Sequence, residues 1–89
     1  MKLNVLYTIN KSKVNSKGLC GITCRVTYLK HRKQFSTGLS INPFFWNSRQ
    51  QLVELPEPDA ELINTKLSLI RTNLTQAFLF LKLEEVILQ

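Results

Sequence analysis

The sequence predicts an α+β fold, a three-stranded antiparallel β-sheet meander packed against a C-terminal α-helix. Three observations predict it. Apolar residues alternate with polar ones in three short segments between Leu3 and Leu39. The links between these segments are short, which favours antiparallel neighbours in the order 1-2-3. From Ile63 onward the apolar spacing changes to threes and fours, the period of a helix.

The first strand, Leu3–Ile9, places Leu3, Val5, Tyr7 and Ile9 on one side. The segment from Asn10 to Gly18 is polar and basic and reads as a flexible loop. In the second strand, Leu19–Tyr28, the apolar set Cys20, Ile22, Cys24, Val26 and Tyr28 suits a core. Gly21, Thr23, Arg25 and Thr27 form the other, polar face. Lys30 and His31 make a short basic turn. The third strand, Arg32–Leu39, sets Phe35, Thr37 and Leu39 on one face and Arg32, Gln34 and Ser36 on the other, with Gly38 marking a bend or bulge.

Three strands with one apolar face cannot stand alone, so the last third must cover them. Asn42-Pro43 opens a turn bearing Phe44, Phe45 and Trp46, with Trp46 as the inward anchor. Trp46, Phe35 and Phe44 are read as core rather than base-stacking residues, and Phe45 as the exposed aromatic. Pro58 suits a helical first turn, and Asp59 and Glu61 favour its positive end. Ile63, Leu67, Ile70, Leu74, Ala77 and Leu81 then define an amphipathic helix of about 25–30 residues. Its end, with Phe78, Leu79, Phe80, Leu81, Leu83, Val86, Ile87 and Leu88, is apolar nearly all round. Such an end doubles back after a break, docks on another chain or continues into a further domain.

Charge divides the chain. Of 12 Lys and Arg, nine fall in residues 1–50, a stretch without Asp or Glu; all six acids lie beyond it, and the net charge is +6. A positive block of this kind attracts polyanions, nucleic acid above all. Hydrophobic content of 44 % places the chain among globular rather than disordered sequences. No stretch approaches the roughly 20 apolar residues that span a bilayer, and no signal peptide is evident, so a soluble, cytoplasmic protein without membrane contact is expected. Cys20 and Cys24, on one strand, would sit about 13 Å apart. That is too far for a disulfide, and with one histidine the pair falls short of a zinc set; both are expected as buried small hydrophobes. No metal or cofactor is expected.

Gly18, then Ile22-Thr23-Cys24-Arg25-Val26-Thr27, then the run from Lys33 to Pro43 with Phe35-Ser36-Thr37-Gly38-Leu39 at its centre, then Trp46-Asn47, resembles a known family. It is similar to the N-terminal arm-type DNA-binding domain of phage-integrase-family tyrosine recombinases, in particular those of Bacteroides-type mobile elements. The likeness covers residues 2–75; residues 76–89 read as a link to a core-binding domain or as an association surface. It implies a sheet whose free face enters the DNA major groove at arm-type sites during DNA integration and recombination. The chain departs from the family's pattern at Cys20 and Cys24, at the Lys30-His31 turn, where Asn-Gly is common, and in its apolar tail. The Arg, His-x-x-Arg and Tyr set of the catalytic domain is not found, so the chain is expected not to cleave DNA.

The residue reading and the resemblance converge on one surface. Thr23, Arg25, Thr27, Arg32, Gln34 and Ser36 are expected to face bases. Arginine suits guanine and glutamine suits adenine. Lys11, Lys13, Lys17, Lys30, His31 and Lys33 are expected to meet phosphates, adding affinity without specificity. Two other readings stand beside this one. The apolar helix end suits a protein-interaction module or self-association, and a sheet backed by a helix also suits double-stranded RNA.

Overall fold

A computed structural model describes residues 3–87. Strands β1 (Asn4–Ile9), β2 (Cys20–Tyr28) and β3 (His31–Ile41) form an antiparallel sheet in the order β1-β2-β3. A short hairpin of β4 (Trp46–Asn47) and β5 (Leu52–Val53) follows, then helix α1 (Ala60–Ile87). The α+β meander with its C-terminal helix is therefore present. The hairpin was not foreseen: its strands are two residues long, too short to show a period.

The core lies between the sheet and α1. The register aligns Val5 with Val26, Tyr7 with Cys24 and Ile9 with Ile22. Tyr7, Cys20, Ile22, Cys24 and Ile41 are buried beneath Val53, Ala60, Ile63 and Leu67. Burial holds both thiols in their neutral form, above the ordinary thiol pKa. They are the small hydrophobes expected, buried and unbridged.

Along α1 the stripe that meets the sheet differs from the expected one. Ala60, Ile63, Leu67, Ile70 and Leu74 follow it, but Ala77 and Leu81 are exposed. Phe78 takes over, edge-on to Tyr28 at 4.9 Å, and the Lys82 ammonium stands 5.1 Å from the same ring. A helix turns 100° per residue, so spacings of 4 follow a sheet edge that spacings of 3 would leave. The helix runs unbroken to Ile87, so it does not double back within the described residues. Leu79, Phe80 and Leu81 are exposed; Leu88 and the side chains of Leu83, Val86 and Ile87 lie outside the described residues.

Several local expectations change. The loop after β1 is hydrogen-bonded throughout rather than loose. Asn10 Oδ1 accepts from the Ser12 amide at 3.0 Å, capping a turn at Lys11–Lys13. Asn15 Oδ1 accepts from the Lys17 and Leu19 amides. The hairpin loop between β2 and β3 is Leu29-Lys30, and His31 already belongs to β3. Leu29 adopts φ 55°, a conformation that glycine enters at far lower cost. Phe44 is exposed and Phe45 half-buried against the core, the reverse of the expectation. Phe35 faces the helix side opposite Cys24 yet remains 41 % exposed, because β3 is an edge strand.

Gly38 does mark a bulge. Gly21 pairs with Ser40 and Thr23 with Ser36, so three residues of β3 oppose Ile22 alone. Thr37 Oγ1 donates to the Ile22 carbonyl at 2.7 Å and accepts from the Leu39 amide at 3.1 Å, and Gly38 takes φ 78°. The side chain thus replaces the ladder bond that the bulge removes.

Side chains also close the free edge of β1. The Tyr7 amide donates to Gln51 Oε1 at 2.6 Å, and Gln51 Nε2 donates back to the Tyr7 carbonyl at 3.0 Å. Asn64 grips Val53 in the same two-bond manner, at 2.7 and 2.9 Å. Gln51→Ala should lower the unfolding free energy by about 1–3 kcal/mol, because it strips both partners from a part-buried strand. Urea denaturation measures this, and Gln51→Glu should not restore the loss, since a carboxylate cannot donate to the Tyr7 carbonyl. Both thiols should resist a disulfide-exchange reagent at pH 8 and react only at the rate of unfolding. Their raised pKa values also contribute stability that is complete below about pH 8.5 and is lost as the pH climbs through the folded values.

Candidate nucleic-acid interface

The sheet face turned away from α1 is built by register. Asn4 aligns with Thr27 and Arg32, Leu6 with Arg25 and Gln34, and Thr8 with Thr23 and Ser36. Nine side chains thus form three rows across three strands. With strands about 4.8 Å apart, a row spans about 10 Å, and three rows occupy about 14 Å along the strands. All nine come from the stretch without acids, and all but Leu6 are polar or basic. All six residues expected to face bases lie on this face.

Arg25 holds the centre of the grid, on the middle strand. Its Nε is buried and has no hydrogen-bond partner among the described atoms. Beside it a polar hollow of about 510 Å³ is lined by Thr8, Thr23, Arg25 and Gln34 on the sheet and by Lys11 and Lys13 of the capped turn. The turn thus sets two ammonium groups at the rim of the face. Ser36 carries a second duty: its Oγ accepts from the Gly38 amide at 3.1 Å, which leaves its own proton to donate.

The remaining basic residues divide. Lys17 and Lys30 are exposed in the two connecting loops. His31 aligns with Tyr28 and Lys33 with Val26, which puts both on the helix side of the sheet. They lie around the β3 edge from the grid, not within it. Asn4, Leu6 and Thr8 complete the face and were missed, although the same alternation that set Val5, Tyr7 and Ile9 inward could have found them. Among the described residues no group of His, Cys, Asp and Glu could hold a metal. No helix there is long and apolar enough to cross a membrane.

An acid-free sheet face, backed by a helix and rimmed by lysines, is a surface suited to a polyanion. Residues 7–88 match the family model of the Arm DNA-binding domain, found in phage integrase-family recombinases, and the chain belongs to that family. Comparisons with curated proteins and with solved structures give no match.

Proposed function

We propose that this chain recognises double-stranded DNA at arm-type sites by laying its polar sheet face in the major groove, as part of integrase-mediated site-specific recombination on a mobile element. The grid carries this reading: three strands about 10 Å across suit a groove about 12 Å wide. Arg25 is positioned to take guanine O6 and N7, and Gln34, beside it in the same row, to take adenine N6 and N7. Lys11 and Lys13 meet the phosphates at the groove wall, with Lys17 and Lys30 extending that contact. His31 and Lys33 reach phosphates only around the β3 edge. In this reading residues 2–75 form the DNA-binding unit, and the chain positions a recombinase without cutting DNA itself.

The exposed cluster of Leu79, Phe80 and Leu81 supports a second role for residues 76–89, contact with another integrase domain or a second copy. Double-stranded RNA suits the grid less well, because the A-form major groove is too deep and narrow for side chains to read.

Fluorescence anisotropy on duplexes from the ends of the element and on scrambled duplexes, over a salt series, tests the main reading. Arg25→Ala should cost about 1–3 kcal/mol on the preferred duplex and little on scrambled DNA. Lys11→Ala with Lys13→Ala should weaken both equally and reduce the salt slope by about 2. Equal loss on both duplexes for Arg25→Ala would remove its reading role. Sedimentation of Phe80→Glu tests the second role: the substitution should dissolve any concentration-dependent dimer of the parent chain, and a parent that is monomeric throughout leaves only the inter-domain contact.

A further inference from the structure

We propose that Leu6 is a specificity determinant of the sheet face, reading the C5-methyl group of a thymine next to the base pair that Arg25 contacts. The inference rests on the DNA-reading role proposed for this face and names a feature of the sequence it takes.

Leu6 is 40 % exposed and lies on the face away from the helix, where the other eight grid positions are polar or basic. Singly exposed leucines are ordinary on protein surfaces. Leu6 differs by its place. The register sets it directly beside Arg25, which is in turn beside Gln34, so one row presents an apolar group, a guanidinium and an amide in sequence. Neighbours in that row are about 4.8 Å apart and the row crosses the groove, so Leu6 lies within one base step of the pair that Arg25 meets. The major groove offers donors, acceptors and one apolar group, the thymine methyl. An aliphatic side chain on an otherwise polar reading face complements that group and no other in the groove. Arg25 marks the neighbouring position by its place at the centre of that face, on the middle strand.

The experiment starts from a preferred duplex selected from a randomised pool with the 89-residue chain. Each thymine of that duplex is then replaced, one at a time, by deoxyuridine, which removes the methyl and keeps the pairing. One replacement should weaken binding about fourfold, the value of one buried methyl, and the rest should be near neutral. Leu6→Ala should bind the thymine and deoxyuridine duplexes equally, with an unchanged salt slope. Leu6→Met, which keeps an apolar reach, should restore the preference. Leu6→Ser, which carries no methyl, should lose it, and it replaces the alanine variant should that variant fail to fold. Tolerance of every deoxyuridine, or a penalty that persists in both Leu6→Ala and Leu6→Ser, overturns the assignment to Leu6 while leaving the DNA reading intact. A selection that yields no preferred sequence overturns the DNA reading, and this inference falls with it.

Discussion

β1 is an edge strand, and its outward backbone groups at Val5 and Tyr7 are met by side chains instead of a fourth strand. Gln51 takes both the amide and the carbonyl of Tyr7, and Arg71 Nη1 donates to the Val5 carbonyl at 3.0 Å. Tyr7 itself passes through the core. Its hydroxyl donates to the Leu67 carbonyl at 2.5 Å, and the Arg71 guanidinium lies 5.3 Å from its ring centroid. Burial raises its pKa, and the nearby cation only partly opposes that, so the hydroxyl keeps its proton and remains a donor. One residue thereby joins the edge strand, the β4–β5 hairpin and the helix. A sheet with one apolar face gains its stability from whatever covers that face. Here the cover is latched to the strand farthest from β3.

That latch leaves the other face free. The hydrogen bonds of Tyr7, Gln51, Asn64 and Arg71 run to the β1 edge, the hairpin and the helix, with grid side chains taking part in none of them. Arg25 stands in the middle of the middle strand, aligned with Leu6 on one side and Gln34 on the other. In the proposed role, a side chain carried on such a strand brings little backbone freedom to lose on meeting DNA. The lysines of the first loop are placed differently. Asn10 and Asn15 shape their backbone, but their long side chains stay exposed. Side chains set on paired strands suit base recognition, and long side chains on loops suit the less exacting phosphates.

Much of this was legible in the sequence, for one physical reason: the alternation of β2 is complete. Cys20, Ile22, Cys24, Val26 and Tyr28 against Thr23, Arg25 and Thr27 assigned both faces, and the short connections assigned the neighbours. What escaped was set by tertiary contact. Gln51, at φ 60°, and Asn64 look like ordinary surface amides until β1 and β5 come within reach. The exchange of Phe44 and Phe45 turns on the direction of one short turn after Asn42, which spacing does not encode. His31 and Lys33 were grouped with Lys30 as phosphate contacts by charge alone; the two-residue loop at Leu29-Lys30 fixes their register and places them on the face opposite Arg32. Leu6 was passed over because the strand was read for what it buries.

Several of the residues that make the family recognisable serve the scaffold, and Ser36 serves both scaffold and polar face. Ser36, Thr37 and Gly38 build the β3 bulge through their own hydrogen bonds, and Asn42 Oδ1 caps the turn after it by accepting from the Phe44 amide at 3.0 Å. Trp46, half-buried, pairs with Val53 in the hairpin that carries Gln51 to β1. These are demands of geometry, and few residue types can meet them: a side-chain acceptor at a fixed offset, a backbone with positive φ, a large ring at the rim of the core. The grid makes no such demand. Asn4, Leu6, Thr8, Thr23, Arg25 and Thr27 sit on strands whose faces would accept many other side chains without loss of the fold. The scaffold therefore fixes where nine side chains stand and, apart from Ser36, not what they are. In the proposed role, a change at one of the other eight would alter the sequence read while the bulge, the latch and the helix stay as they are.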